Sequence, residues 1–490
     1  MKKNGIAVLI ALLVIAYPVS AWLIGKNIES SLTEYRTKVW ADTPYLKIVK
    51  SDYQRGLFSS TEKVSVELAG DFLRSLDGMK KAGELPEAED ENSETGTAAE
   101  KKQYLPAEPT HPLIITFVHR IAHGPFAAGK PALGRIETTL EFDEKVTQEI
   151  AKVFGNKKPL EILTIMGWSG GGTGTISSPV TIASFQRGTT EMNWQGLKGS
   201  VDFTKDATTY RADISAPGIS IKNTAKNEEI KIIGIQVVSD KKRLKEGSML
   251  YLGRDTGTIK SLSGVGQTDG SKGFTLEDIS YTSDMNESAG FADMIAKMSA
   301  AKLIVASDSY GPMHYDFSVK HLKSDILEKF FKSFGEIYAG KHKTTEEFTA
   351  ATFAPWKKFG PELLKHNPEL IIDRISFAMP EGEAKLNANV KIPGATPEDI
   401  ANPFMLIGKL DASADIALPE AMVAKLAGSG NKTPEEQAAA KAMFEQQLAG
   451  LEQQGYVSRE NKILKSRFKF KDGKATLNDK PFQMPGAAPS

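Results

Sequence analysis

Three groups of residues have the types and spacing on which chemistry could be built. Gly167-Trp168-Ser169-Gly170-Gly171 fits the G-x-S-x-G turn that lifts a nucleophilic serine above a strand, and Leu160 to Met166 supplies a strand ahead of it. Such an elbow must open into a helix. Gly172 to Val180 instead holds glycines, β-branched residues and Pro179, which reads as turn and strand, so a hairpin is expected there. The same glycines lack the Gly-Lys-Ser/Thr ending of a phosphate-cradling loop. His119 and His123 have the i, i+4 spacing that would bring two imidazoles to one zinc on a helix. Their neighbours read as strand, where that spacing separates them by ~13 Å, and Gly124-Pro125 ends the segment.

The third group is Tyr53-Gln54-Arg55-Gly56-Leu57-Phe58-Ser59-Ser60. It reads as a tight turn at Gly56, with Leu57 and Phe58 packed inward and the serines leading into a strand. Arg55 is the right type to meet a phosphate or carboxylate, although one arginine without partners does not make an anion site. The residues singled out as candidate motif residues are therefore Tyr53, Arg55, Gly56, Phe58, Ser59, His123, Gly124 and Pro125. No catalytic, cofactor-binding or metal-binding residue is assigned, and no cofactor is expected.

These residues must be positioned by the elements around them. Lys2 and Lys3 precede an uncharged run from Gly5 to Gly25, long enough as a helix, at ~1.5 Å per residue, to cross a hydrocarbon core of ~30 Å. Left on the cytoplasmic side, the two lysines place everything after Lys26 in the periplasm, with the inner membrane as partner through residues 5–25. Val19-Ser20-Ala21 also has the small-residue pattern of a cleavage site. Cleaved leader and uncleaved anchor both stay open, the anchor being favoured because apolar residues continue through Ile24.

Along the chain, residues 1–25 are expected to form the cytoplasmic tip and anchor, and 26–52 a helical stalk in which Ile28, Leu32, Tyr35 and Val39 recur at helical spacing until Pro44. Residues 53–285 form a β-rich region. Val64, Val66 and Leu68 alternate with Lys63, Ser65 and Glu67, and alternating strands recur at Ile136–Phe142, Leu160–Thr164, Tyr210–Ile214, Ile219–Ile221, Ile230–Gly234 and Phe274–Leu276. A short helix, Asp143 to Phe154, interrupts them. The stretch 84–105, with acidic residues and few apolar ones, is expected to be disordered. Residues 286–482 read as α+β: helices at Ala289–Ser299, Leu322–Ala339 and Pro434–Gln454, the last opened by Thr433 and carrying Met443, Leu448 and Leu451, with strands at Leu370–Phe377 and Ala384–Ile392. Residues 483–490 are read as a disordered tail. Two hairpins of one design are expected, turning at Glu381-Gly382 and Asp472-Gly473. The fold class is α+β with β dominant: a transmembrane helix, then large, mainly antiparallel, curved sheets.

Composition narrows the function. The 61 basic and 61 acidic side chains cancel, which argues against a nucleic-acid partner. The absence of cysteine removes disulfides, thiolate metal sites and cysteine nucleophiles, so stability must come from packing.

Tyr53–Ser60 after an apolar segment, then His123-Gly124-Pro125, then Gly473-Lys474-Ala475-Thr476-Leu477-Asn478-Asp479-Lys480-Pro481-Phe482, resemble the YdgA-like family of bacterial envelope proteins, in order and spacing, across essentially the whole chain. Leu57 stands where that family often has Trp. The resemblance implies an inner-membrane anchor, a large periplasmic portion and self-association, and it carries no catalytic residues. The leading expectation is a non-enzymatic envelope protein that binds or scaffolds an envelope component, lipid or another envelope protein. A serine hydrolase using Ser169 with His119 or His123, and a self-associating assembly factor using the helix at 434–454, are the alternatives.

Overall fold

The computed structural model describes residues 2–37, 46–68, 113–127, 129, 131–185, 189–266, 273–340, 342, 344–428 and 433–482, with side chains in the first helix from Ala16 onward. The acidic stretch 84–105 and the tail 483–490 lie outside the described residues. Helix α1 runs from Lys2 to Tyr35. Strands then follow in hairpin succession: β1 (Leu46–Arg55), β2 (Ser59–Leu68), β3 (Leu113–His123), β4 (Gly134–Phe142), and, after helix α2 (Glu144–Phe154), β5 (Glu161–Met166) and β6 (Gly172–Ser178). Next come β7 (Thr181–Phe185), β8 (Thr190–Trp194), β9 (Leu197–Phe203), β10 (Thr209–Asn223), β11 (Glu228–Arg243), β12 (Tyr251–Val265), β13 (Phe274–Ser288), β14 (Phe291–Ala300), β15 (Lys302–Val305), β16 (Asp308–Tyr310) and β17 (Met313–Lys323).

The remainder alternates helices with strands. Helices α3 (Ser324–Ala339) and α4 (Thr345–Leu364) precede the hairpin β18 (Glu369–Met379) and β19 (Gly382–Lys391). Short helices α5 (Pro397–Ala401) and α6 (Pro403–Gly408) lead to β20 (Asp411–Pro419), α7 (Glu420–Gly428) and α8 (Pro434–Gln453). The chain closes its described part with β21 (Ser458–Glu460), β22 (Ile463–Lys471), β23 (Lys474–Leu477) and β24 (Lys480–Pro481).

All 24 described strands join one antiparallel sheet that does not close on itself. Both expected hairpins form, and they flank the same strand, since β20 pairs β19 on one side and β22 on the other. Asp472 and Gly473 both have positive φ, 52° and 73°, as a tight two-residue hairpin turn requires. The boundary expected near 285/286 falls inside the β13–β14 pair, so the sheet passes through it unbroken.

Four long strands, β10 to β13, carry an aligned irregularity. The register skips Pro217 opposite Gly234, Gly234 opposite Lys260, and Lys260 opposite Asp278, while pairing resumes without a shift on either side. Gly234 and Asp278 have φ of 66° and 49°. On the flanks the same row separates β9 from β8, which share β10, and β14 from β15, which share β13. A lobe made of β7, β8, the far halves of β10 to β13, β15 and β16 thus pairs with the main sheet along this row, and β16 also meets β18, the Tyr310 and Phe377 rings standing 6.1 Å apart.

The largest buried cluster, Leu250, Ala292, Leu322, Ile326, Leu327, Phe330 and Leu363, lies between α3, α4 and the strands β14 and β17, with Leu250 just ahead of β12. Ala292 corrects the expected helix at 289–299. Phe291–Ala300 is a strand between β13 and β17, because Ala292 and Met294 at period two enter this core, and sheet pairing outweighs the helix propensity of Ala and Met. Two strands expected at 210–214 and 219–221 are one, β10, since Pro217-Gly218 breaks the ladder for one pair without turning the chain. The end of the stalk is corrected too: Leu46–Arg55 is strand, while residues 38–45 lie outside the described residues. Thr433 caps α8 in a reciprocal capping box with Glu436, as expected, but its apolar side is split, with Leu448 buried and Met443 and Leu451 exposed.

Among the described residues, which in α1 carry side chains only from Ala16, no helix is long and apolar enough to cross a membrane.

Candidate functional site

Period two on β1 to β4 places Tyr53 and Arg55, Ser60 and Glu62, His119, Ile121 and His123, and Gly134, Ile136 and Thr138 on one face. Helix α1 lies on that face. Its Ala21, Gly25 and Ile28 recur at helical spacing and are buried, Ile28 packing against Ile121 and Ile136 with Tyr53 and Met166 at the margin. The candidate residues of the sequence, scattered over some 70 positions, are therefore gathered into one joint between helix and sheet.

His123 is its centre. The ring is 2% exposed, with Nδ1 2.9 Å from the Ala21 carbonyl and Nε2 3.0 Å from Ser60 Oγ. A carbonyl only accepts, so Nδ1 carries the proton, and in a neutral ring Nε2 accepts from the Ser60 hydroxyl. Close approach depends on Gly25, where any Cβ would fall 2.5 Å from the imidazole. A serine bonded to a histidine that is oriented by a third group has the form of an activated nucleophile. At 4% and 2% exposure under α1, however, Ser60 and His123 present no face to a substrate.

The turn below is built from the remaining candidates. Gly56 N–H donates to the Ser59 carbonyl at 2.8 Å, and a Cβ at Gly56 would meet that oxygen at 2.7 Å, which explains the glycine. Arg55 donates to Glu29 at 2.9 Å and lies 5.2 Å over the Trp22 ring, so its partners come from α1, not from an external anion. Phe58 accepts from His123 N–H at 2.9 Å through its carbonyl, while its ring stands 5.8 Å from Tyr17. Leu57 and Phe58 are 47% and 44% exposed, not packed inward as expected. The tight turn holds both side chains beyond the last strand pair, where Phe58 meets Tyr17 on one side and is otherwise open. Gly124, at φ 137°, passes close to Ala21, and the Pro125 carbonyl accepts from Ala132 N–H.

Deeper along the same face lies a buried charged group. Glu62 is 1% exposed and pairs with Arg36 at the end of α1; burial raises its pKa against the opposing pull of Arg36. His119 bonds Thr138 at 2.8 Å and stands 4.0 Å from Glu62; burial, then the nearby Arg36 charge, lowers its pKa to about 4. Beside Ser60 the buried Tyr53 hydroxyl meets no hydrogen-bond partner among the described residues, and burial raises its pKa. Ser60, Glu62, Gly25 and Arg36 were not singled out in the sequence. A signal was present for two of them: counting back by twos from Val64 puts Glu62 and Ser60 on the apolar face of β2, where an unneutralised carboxylate demands a partner.

Gly167 to Gly171 forms the β5–β6 hairpin turn, closed by Gly167 N–H to the Gly171 carbonyl at 2.7 Å, and opens into strand β6 as expected, not into a helix. His119 and His123 occupy one strand and are each bonded elsewhere.

Two further surfaces stand out. In the lobe beyond the aligned irregularity, direct cross-strand partners form two apolar rows on one face: Trp194, Ile219, Ile232, Leu262, Leu276 and Leu303, and beside them Met192, Ile221, Ile230, Gly264, Phe274 and Val305. The rows begin under α2, whose Val153 carbonyl accepts from Thr181 opposite Trp194. Away from α2 they surface, with Ile221, Ile230 and Phe274 at 46%, 58% and 40% exposure. Of the main helix contacts with the sheet, that of α2 with β7 reaches the edge of the lobe, while α1 lies on β3 and β4, α3 on β17 and α7 on β20. At the other end a polar cleft of about 350 Å³ includes Lys385, Asp415, Arg467 and Asn478. Its cations are already paired, Lys385 with Glu383 at 2.9 Å and Arg467 with Asp415 at 2.6 Å.

Comparison with curated proteins and with solved structures finds no match. A family model described as a bacterial protein of unknown function, DUF945, matches residues 1–485, a span that takes in the joint, the lobe and the final hairpins, and the chain belongs to that family.

Proposed function

We propose that this is a non-enzymatic envelope protein, anchored in the inner membrane by α1 with its bulk in the periplasm, whose sheet binds lipid acyl chains along the two apolar rows of the lobe. The observation that carries the reading is the pair of rows itself. A soluble face of a sheet ordinarily alternates toward polar residues, whereas here Ile, Leu, Phe and Trp stand side by side across successive strands and are exposed at Ile221, Ile230 and Phe274. At ~4.8 Å per strand, the path from β8 to β15 is ~24 Å long, which suits an extended hydrocarbon chain laid across the strands. The Lys2-Lys3 pair, the apolar run 5–25 and the motifs shared with YdgA-like envelope proteins support the location.

The test is to purify the full-length protein, extract it with organic solvent and analyse the extract by mass spectrometry, alongside Ile230→Glu. Lipid in the extract of the wild type and its loss from the variant is the expected result. An extract free of lipid, or lipid retained equally by the variant, would remove lipid binding at this face.

A further inference from the structure

We infer that the β1–β2 turn and the β3–β4 loop are themselves sunk into the outer leaflet of the membrane, so that the sheet stands in the bilayer and is not held above it on a stalk. This rests on the anchoring of α1 proposed above and adds to it a second contact with lipid. Tyr17, Trp22 and Leu23 of α1, Leu57 and Phe58 of the turn and Phe126 of the loop are all exposed by 39% or more. Tyr17, the turn and the loop meet at one end of the first strands, where the apolar tips have no described cover beyond one another and Arg55 over Trp22.

Depth follows from the docking geometry. The apolar run reaches Gly25, yet the Phe58 ring lies beside Tyr17, and Gly124 lies beside Tyr17 and Ala21. Eight residues of helix separate Tyr17 from Gly25, or ~12 Å along its axis. A run of 21 residues is barely long enough to span, so none of it can be spared to remain outside. Whatever is fixed at the level of Tyr17 is then carried below the membrane surface. Arg55 pairs with Glu29 and covers Trp22, at the level where the run gives way to Lys26, and Arg36 and Glu62 lie farther out; Arg135, level with Ser59 on β4, pairs with Glu137 at 2.7 Å and has a stem long enough to reach the headgroups. An aromatic ring under an arginine is what the headgroup layer accommodates. Buried His123 and Ser60 satisfy one another and the Ala21 carbonyl, so these two bring no unpaired polar side chain into lipid.

Because the chain has no cysteine, single labels can be placed anywhere in the full-length protein. Leu57→Cys, Phe126→Cys, Val19→Cys on the outer side of α1 and Phe404→Cys on α6 would each carry an environment-sensitive fluorophore. The proteins are reconstituted in phosphatidylethanolamine–phosphatidylglycerol vesicles containing a doxyl-labelled phosphatidylcholine quencher. Quenching at 57 and 126 should approach that at 19 and exceed that at 404, which is 86% exposed, several-fold. Quenching at 19 with 57 and 126 behaving like 404 would overturn the insertion while leaving the anchor standing. If position 19 also behaves like 404, the anchor fails and the insertion with it.

Discussion

The joint at β1–β4 and the lobe beyond the aligned irregularity present the same raw material, strands with one apolar face, in two conditions. In the joint the face is covered by a helix, and buried Ile28, Ile121 and Ile136 are accompanied by paired polar groups, His123 with Ser60 and Glu62 with Arg36. In the lobe the face is almost wholly hydrocarbon and surfaces at Ile221, Ile230 and Phe274. Buried polar groups specify one partner in one position, because any other leaves them unsatisfied. An uncovered apolar row specifies only that something oily should lie on it. The first region holds a fixed piece of the same chain; the second suits an exchangeable ligand.

That contrast can be broken most forcefully at His123. In His123→Ala the Ser60 hydroxyl and a cavity are left under α1, and the protein should lose roughly 4 kcal/mol by urea unfolding in detergent, with amide exchange quickened in β1–β4 and unchanged in the lobe. Acid should act on the same joint. His119 resists protonation in the fold, so the stability it carries is complete above its ordinary pKa of 6.5 and is lost as pH falls toward about 4, with roughly 3 kcal/mol at stake; Glu62, shifted the other way, offsets part of this. His119→Gln should therefore flatten the fall in stability between those pH values, and an unchanged slope would show that another group governs it.

A smaller loss is expected from Gly25→Ala, whose methyl would press on the His123 ring: about 2 kcal/mol, read in the same unfolding experiment. Smallest of all is Ile230→Glu in the lobe. Its side chain is already 58% exposed, so stability should move by less than about 0.5 kcal/mol while bound lipid is lost. A large destabilisation there would mean that the row is core, and the contrast between the regions would disappear.

Much of the fold was legible in the residues. Alternation located β2, β4, β5 and the pieces of β10 and β11, and the Thr433 N-cap and the turn pairs located α8 and the final hairpins. The candidate motif was legible as unusual residues but not as a joint. What makes Arg55 and His123 meaningful is Glu29, Trp22 and Ala21, which belong to a segment whose apolarity reads only as membrane. The Phe291–Ala300 strand was misread because Ala and Met at period two also satisfy a helix, and only the neighbouring strands decide. Leu57 and Phe58 were misread because apolar side chains on a turn are ordinarily drawn inward, and their exposure becomes visible only with the helix in place.

The row Pro217, Gly234, Lys260 and Asp278 draws a line of missing pairs across the sheet. A continuous ladder resists bending because every cross-strand bond must stretch together; where one pair is missing from each of three adjacent ladders in line, that resistance is lowest. Gly234 sits at the middle of this seam, where a Cβ would come within 2.8 Å of the Lys260 side chain, so even a single methyl group there would strain the line along which the oily lobe meets the rest of the molecule.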